Sequence, residues 1–440
     1  MSEASAAATQ PAARPNVVVG VAGGIAAYKA CHLVRLFTES GHNVRVVPTE
    51  AACNFVGPAT FEALSGNPVS VSVFEAVDEV RHVHVGQHAD LVVIAPATAD
   101  LLARLAAGRA DDLLTATCLV ATCPVVVAPA MHTEMWNNPA TQDNVATLRR
   151  RGVVVLEPAH GRLTGKDTGP GRLLDPEQIF ALAEYVRAGG TLTRDLEGLE
   201  VLITAGGTRE AIDPVRFIGN QSSGKQGFAL GEVAAQRGAH VTVIAGATAE
   251  LPTPAGAEVV RIRSARDLQA AVAAHAPTAD VIVMAAAVAD YRPATLAESK
   301  LKKGQSDDAL SQVALVENPD ILRGLVAGRA AQAAGDSAGA GEELPAVRAD
   351  ATIVGFAAET GDAHASAEEY GRQKLARKGC DLLMCNEVGD GVVFGQATNQ
   401  GWLLSRTGED EVVPLASKYV VAGRILDAAV RLRGAAASHG

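Results

Sequence analysis

A chain of 440 residues is too long for one ordinary hydrophobic core and is expected to fold as two domains. Apolar residues make up 48% of it and aromatic ones only 4%, so the core must be built from Val, Leu, Ile and Ala, as in parallel sheets buried between helices. The formal net charge of -11 argues against nucleic acid as the main partner, and no apolar run reaches the length of a membrane span.

Residues 1–15 lack the basic start and apolar run of a signal peptide and read as a disordered tail. The six cysteines form no short-spaced framework, which points to reduced thiols in a cytoplasmic protein. From Asn16 onward strand and helix signals alternate, the pattern of an α/β fold with parallel sheets. Strands are expected at Val17–Val21, Asn43–Pro48, Asp90–Ala95, Pro124–Ala128 and Val153–Glu157, and helices at Ile25–Ser40, Leu101–Ala107 and Asp175–Ala188. The first domain is therefore placed at residues 16–190.

Gly23, Gly24 and Ile25 directly follow the first strand, where glycine allows a tight turn and close approach of a phosphate to helix N–H groups. The dinucleotide pattern G-x-G-x-x-G is absent, and the second strand runs into Pro48-Thr49-Glu50 with no ribose-binding carboxylate at its end. A hydroxyl such as that of Thr49 suits a phosphate, which favours a mononucleotide such as FMN over NAD. Two later strands end in small residues: Pro96, Thr98 and Ala99 in APATADLLARLAAG, and Met131 in APAMHTEMWNN. Open sheets bind ligands at such carboxyl ends, so a pocket is expected there. His82, His84 and His88 cluster in RHVHVGQHAD, and His82 and His84 could share a strand face. Without a thiol or further carboxylate the cluster suits a catalytic histidine better than a metal site, with a surface or structural role as the alternative.

The second domain, residues 191–440, repeats the alternation. Strands are expected at Val201–Thr204, His240–Ala245, Val259–Ile262, Asp280–Ala285, Thr352–Phe356, Asp381–Cys385 and Gly401–Leu404. Helices are expected at Lys225–Arg237, Ala265–Ala274, Ala367–Arg377 and Ser417–Arg433. The Ala/Gly-rich stretch near 331–349 reads as a helix tail and a mobile loop. Three polar blocks stand at expected strand ends. Gly206, Gly207 and Thr208 offer N–H groups and a hydroxyl, followed by Arg209, Asp213, Arg216 and then Ser222, Ser223, Gly224 and Lys225 at a helix start. Asp290 follows a buried strand and could take a divalent ion, and Lys300, Lys302 and Lys303 could neutralise phosphates. The Walker pattern is absent.

These blocks, with GGIAAYK, His82, PATADLLARLAAG and PAM in the first half, resemble the bifunctional phosphopantothenoylcysteine decarboxylase/phosphopantothenate–cysteine ligases of bacterial coenzyme A synthesis. The resemblance covers about Asn16–Ala188 and Leu199–Arg433. It implies a flavodoxin-like three-layer domain of the FMN-binding cysteine decarboxylase type, followed by a Rossmann-like ligase domain. It implies decarboxylase trimers assembled to a dodecamer through ligase-domain dimers, with no nucleic-acid or membrane partner. In the first domain His82 would be the catalytic histidine. In the second, CTP and Mg2+ would activate 4'-phosphopantothenate as an acyl-cytidylate, which the cysteine amine then attacks. Asn220 would stabilise that intermediate, Arg216 would help its conversion, Lys300 would act in its formation, and Asp290 and Phe356 would lie near the nucleotide. The ligase product would be the substrate of the decarboxylase, giving 4'-phosphopantetheine and CO2.

In the first domain the sequence departs from the family pattern at two places. His132 stands where the family has a carboxylate-binding asparagine, so His132, Asn137 or Asn138 would take that role. Thr164 stands where a flap cysteine protonates the last intermediate, so either another group such as Lys166, or a water, would supply the proton, or Thr164 would do so in a slower last step. The alternative reading is a ligase joined to an inactive or purely oligomerising flavoprotein domain.

Overall fold

The structure, a computed structural model, describes residues 14–71, 81–162, 168–301, 313–335, 345–362, 364–387 and 395–437, with the backbone alone described at 81, 82, 84 and 435–437. It divides into two compact units, Met1–Arg187 and Ala188–Gly440.

In the first unit β1 (Asn16–Val21), β2 (Asn43–Pro48), β3 (Leu91–Ala97), β4 (Val125–Pro129) and β5 (Val154–Val155) form a parallel sheet in the order β2-β1-β3-β4-β5. The strands are runs of Val and Ile because both faces are covered. One face sends Val18, Val92, Ile94 and Val127 into a cluster with Leu101 and Leu102 of α4 (Ala99–Ala106), Leu113 and Leu114 of α5 (Leu113–Val120), and Val145 and Leu148 of α7 (Pro139–Arg150). The other face carries α1 (Tyr28–Glu39) and α8 (Pro176–Arg187), which pack on one another and on β3. This is a three-layer αβα unit with the flavodoxin-like strand order. The helix expected from Ile25 begins as a 3-10 turn, Ile25–Ala27, and becomes α-helical only at Tyr28.

Three further helices, α2 (Pro58–Ser65), α3 (Arg81–Gln87) and α6 (Thr133–Trp136), complete the unit with a hairpin of β6 (Ala159–Arg162) and β7 (Thr168–Arg172). The stretch holding His82 and His84 is thus a helix, not a strand, and the shared strand face expected for the pair does not exist. Positions two apart on a helix point away from each other.

The second unit is built on β8 (Glu200–Ala205), β11 (His240–Ala245), β12 (Glu258–Arg261), β13 (Val281–Met284), β16 (Thr352–Glu359), β17 (Leu382–Glu387), β18 (Thr398–Ser405) and β19 (Glu411–Ser417). They are ordered β12-β11-β8-β13-β16-β17-β18-β19, parallel as far as β17 and antiparallel beyond it. The parallel part has the Rossmann strand order, and its direction of winding reverses between β8 and β13, where such sheets open a ligand crevice. Leu202, Ile244, Ile282 and Ile353 fill one face with α10 (Ala265–His275), α11 (Ile321–Ala333) and α12 (Ala367–Lys378). The other face is covered by α9 (Lys225–Gln236) and α13 (Lys418–Ala437). Two short hairpins stand over the strand ends: β9 (Arg209–Ala211) with β10 (Phe217–Gly219), and β14 (Tyr291–Pro293) with β15 (Leu315–Glu317). Of the expected mobile stretch near 331–349, α11 accounts for the start, and 336–344 lie outside the described residues. Among the described residues no helix is long and apolar enough to cross a membrane.

Candidate functional site

Each unit has a cavity at the carboxyl ends of its central strands. In the first, a cavity of about 320 Å³ is lined by Gly24, Ile25, Pro96, Thr98, Met131 and His132, as the small-residue strand ends predict. That volume is in the range of small-ligand sites. Gly23 sets the shape of the turn. A Cβ there would lie 2.5 Å from the Ala51 Cβ, so only glycine lets the chain after β1 lie against the 3-10 turn Glu50–Asn54. Thr98 lines the cavity and caps α4, its Oγ1 accepting from the Leu101 N–H at 3.3 Å. Ala99 is the first residue of α4 and does not line the wall.

Two expected ligand groups have other work. Thr49 is buried and its Oγ1 accepts from the Ala52 N–H at 3.2 Å, so it caps a 3-10 turn and does not reach the cavity. Asn138 caps α7, its Oδ1 accepting from the Ala140 N–H at 3.0 Å, and is likewise outside the wall. His132 is therefore the residue of the three candidates that lines the cavity, at its exposed rim and with no side-chain capping bond. The β7 strand is stitched to this rim. The Met131 N–H donates to Gly171 O at 2.9 Å and Thr133 Oγ1 donates to Pro170 O at 2.8 Å.

That hairpin brings residues the motif reading did not single out: Arg162 and Arg172, with Lys29 from α1. Lys29 Nζ donates to Asp175 at 2.8 Å, and Arg172 lies 3.6 Å from the same carboxylate. The first wall is apolar and small and its rim is cationic, which suits a planar ring with an anionic tail. Thr164 and Lys166 lie outside the described residues, as does the His82 side chain. Among the described residues no cysteine lines this cavity.

The second cavity, about 170 Å³, is lined by Ser222, Ser223, Gly224, Lys225, Ala285–Ala287 and Phe356, with Lys418 closing it. The N–H groups of Gly207 and Thr208, expected to be free for phosphate, are occupied. Gly207 donates to Ala247 O at 2.9 Å and Thr208 to Ala287 O at 3.2 Å. The Thr208 hydroxyl accepts from the Ala289 N–H at 2.9 Å and is buried. Gly207 and Thr208 thus serve as scaffold and not as a phosphate cradle, and neither they nor Gly206 line the cavity. A Cβ at Gly207 would lie 2.4 Å from Asn220 O, so the glycine lets the Asn220 segment cross the end of β8. Asn220 Nδ2 donates to Val288 O at 2.9 Å, which fixes its side chain over that crossing.

Arg216 meets Asp213, a fully buried carboxylate. Asp213 also accepts the N–H groups of Val215 and Arg216 at 2.8 Å and of Leu301 at 3.2 Å. The Arg216 guanidinium, helped by those N–H donors, holds the Asp213 carboxyl well below the usual carboxylate range despite its burial. Arg216 donates as well to Leu301 O at 2.6 Å, so the turn carrying Arg216 and the segment carrying Lys300 are tied together. Lys302 and Lys303 lie outside the described residues.

Asp290 is exposed ahead of β14, and Asn318, unremarked in the sequence, anchors that loop through N–H to Asp290 O and Nδ2 to Ala289 O, both at 2.8 Å. Among the described residues no three His, Cys, Asp or Glu side chains gather into a metal site, and Asp290 belongs to no such cluster. Burial pushes the Cys380 and Cys385 thiols up to about 11, which leaves them inert at neutral pH.

Comparison with known proteins places both units. Residues 5–185 match the family described as Flavoprotein, and residues 196–336 and 341–432 match the DNA/pantothenate metabolism flavoprotein C-terminal domain. The coenzyme A biosynthesis bifunctional protein CoaBC of Mycolicibacterium smegmatis is 61% identical over 416 residues, 94% of this chain and 97% of that protein. Its counterpart in Vibrio vulnificus is 43% identical over 428 residues, 97% of this chain and 100% of that protein. A solved C-terminal domain of a CoaBC protein is 32% identical, covering 55% of this chain and 100% of that one, with a TM-score of 0.41. The chain belongs to the family of bifunctional coenzyme A biosynthesis proteins, in which a flavoprotein domain and a pantothenate-metabolism domain share one polypeptide.

Proposed function

We propose that the second unit joins 4'-phosphopantothenate to cysteine with CTP and Mg2+, and that the first unit, with FMN, decarboxylates the product to 4'-phosphopantetheine in the cytoplasm. The observation that carries the reading is the presence of both domains in one chain that aligns over 97% of a curated bifunctional relative.

In the ligase step a carboxylate is a poor acylating agent until its oxygen is part of a good leaving group. The carboxylate oxygen attacks the α-phosphorus of CTP and pyrophosphate departs. The cysteine amine then attacks the acyl carbon and CMP departs. Lys300 neutralises charge as the acyl-cytidylate forms, Asn220 holds it and Arg216 assists its conversion. The cavity with Ser222–Lys225 and Phe356 takes the phosphorylated ligands. A Mg2+ ion is commonly held by one or two carboxylates with substrate phosphates completing the shell, so exposed Asp290 fits a metal that arrives with the nucleotide.

The first cavity fits FMN. The Gly24 position is open, a Cβ there meeting only the Thr98 Cγ2 at 3.8 Å, and the cationic rim complements a phosphate. When bound, FMN supplies reversible oxidation of the substrate thiol carbon, which makes an electron sink for loss of CO2. Pro96, Thr98 and Met131 shape its wall, His132 donates to the substrate carboxylate and His82 handles protons. Exposed Ile25 and Tyr28 beside this cavity, and exposed Val412 and Leu415 on β19, support subunit contacts in trimers joined through ligase dimers.

One assay tests the reading: 4'-phosphopantothenate, cysteine, CTP and Mg2+ are incubated with the protein and the products are followed by mass. Formation of 4'-phosphopantetheine is expected. Phosphopantothenoylcysteine as the end product would favour the second reading, a ligase with an inactive flavoprotein domain, which Thr164 at the flap-cysteine position motivates.

A further inference from the structure

The ligase cavity contains a lysine that neither the motifs nor the reaction above employs. Lys418 is the first residue of α13, is only 6% exposed and lines the cavity. Its Nζ donates to Thr398 O at 2.9 Å, which occupies one of three donors. Lys225, the first residue of α9, lines the same cavity and donates to Gly395 O at 2.7 Å.

Neutral amides fix the two helix starts. Gln226 Nε2 donates to Lys418 O at 3.0 Å, and Asn399 Nδ2 donates to Gln226 Oε1 at 3.3 Å and to Asn386 Oδ1 at 2.9 Å. Among the described residues no Asp or Glu lines the cavity. Two ammonium groups thus share a partly desolvated space with no countercharge among the described residues of its wall, and burying a lysine unpaired is costly. The Lys225 charge adds to burial in pushing the Lys418 amine down. An anion between them would turn a repulsive pair into two charge-assisted contacts.

We propose that Lys418 and Lys225 together bind a phosphoryl group of a ligase substrate, and that Lys418 is a binding residue of that reaction. The proposal rests on the ligase reading above. The phosphoryl group belongs either to the phosphomonoester of 4'-phosphopantothenate or to the nucleotide, and the recognition chemistry is the same for both.

The test titrates 4'-phosphopantothenate and CTP separately, by calorimetry, onto the full-length protein and its Lys418→Gln and Lys418→Arg variants. A hydrogen bond to a charged group is generally strong enough that its loss weakens binding about tenfold or more. Lys418→Gln is expected to lose that factor for one ligand and leave the other within threefold, with Lys418→Arg restoring most of the loss. The ligand affected identifies the source of the phosphoryl group. Unchanged affinity for both ligands in Lys418→Gln, or no binding of either ligand by the parent, would overturn the proposal. The ligation assay on the parent is separate: no phosphopantothenoylcysteine there defeats the ligase reading, while the titrations still decide whether Lys418 binds phosphate.

Discussion

Arg216 and Asp213 form the anchor of the ligase turn: the guanidinium meets a fully buried carboxylate and, through Nη2, also reaches Leu301 O at 2.6 Å. Because Asp213 receives the Leu301 N–H as well, it sets the distance between Arg216 and the Lys300 segment.

Replacing Asp213 with Asn keeps the shape but removes the charge and half of the acceptor capacity, so that segment loosens. Ligation by Asp213→Asn is expected to fall at least tenfold in kcat, while decarboxylation of added phosphopantothenoylcysteine stays at the parental rate. Parental ligation by the variant would refute the anchor. The sign of the pH effect follows from the direction of the shift. The Asp213 carboxyl is held below its unfolded value of about 3.9, so its contribution is present above that pH and is lost only as pH falls toward the folded value. Ligation near neutrality should therefore show no inflection from this group.

The layers were legible in the sequence because hydrophobic period and glycine punctuation carry them. Val17–Val21 and Val201–Thr204 are apolar runs of strand length that end at glycine turns, and they form β1 and β8. The strand-end cavity at Pro96, Thr98 and Met131 followed from the same signal. What could not be read was how polar groups are used once the chain folds. Thr49, Asn138 and Thr208 have the right chemistry for ligands, yet backbone N–H groups of their own turns and neighbouring strands claim them. Lys418 was hidden for the opposite reason. It lies 193 positions beyond Lys225 in the chain, and only the packing of α13 beside α9 brings it to the cavity.

Lys418 also predicts a pH dependence. Burial, with Lys225 beside it, pushes its amine down to about 8. Apart from Lys225, the other polar side chains among the described residues of that wall, Gln221, Ser222, Ser223, Gln226, Asn386 and Asn399, are neutral. The ammonium form predominates below that value and is the form that binds phosphate, so affinity for the phosphoryl ligand should fall as pH rises past about 8. Near that pH binding should draw a proton onto the protein, seen as a calorimetric heat that changes with the ionisation enthalpy of the buffer. Lys418→Arg, always charged, should bind without the proton uptake.

Gly23→Val tests the flavin turn. Its Cβ would meet the Ala51 Cβ at 2.5 Å and the Ala51 carbonyl carbon at 2.8 Å, and backbone cannot yield as a flexible side chain does. Overpacking of this kind costs about 1–3 kcal/mol. The expected result is a protein that purifies with less than about a tenth of the parental flavin absorbance and still ligates at the parental rate. Full flavin content in the variant would show that the turn after β1 does not shape the cofactor site.

His132 separates carboxylate binding from flavin binding in the same cavity. It stands at the exposed rim, free of capping duty, beside the Met131–Gly171 bond that fixes the wall. A hydrogen bond to a charged group is worth about 1.5–3 kcal/mol, roughly tenfold or more in affinity. His132→Ala should therefore raise KM for phosphopantothenoylcysteine about tenfold, leaving flavin content and ligation unchanged. His132→Asn, which restores a donor of similar reach, should keep KM within about threefold of the parent. If alanine instead lowered kcat with KM unchanged, the residue would be acting on the reacting centre and not on the bound carboxylate. If it stripped the flavin, His132 would belong to the cofactor wall. The division of effect between KM, kcat and absorbance thus assigns His132, a rim residue that departs from the family pattern.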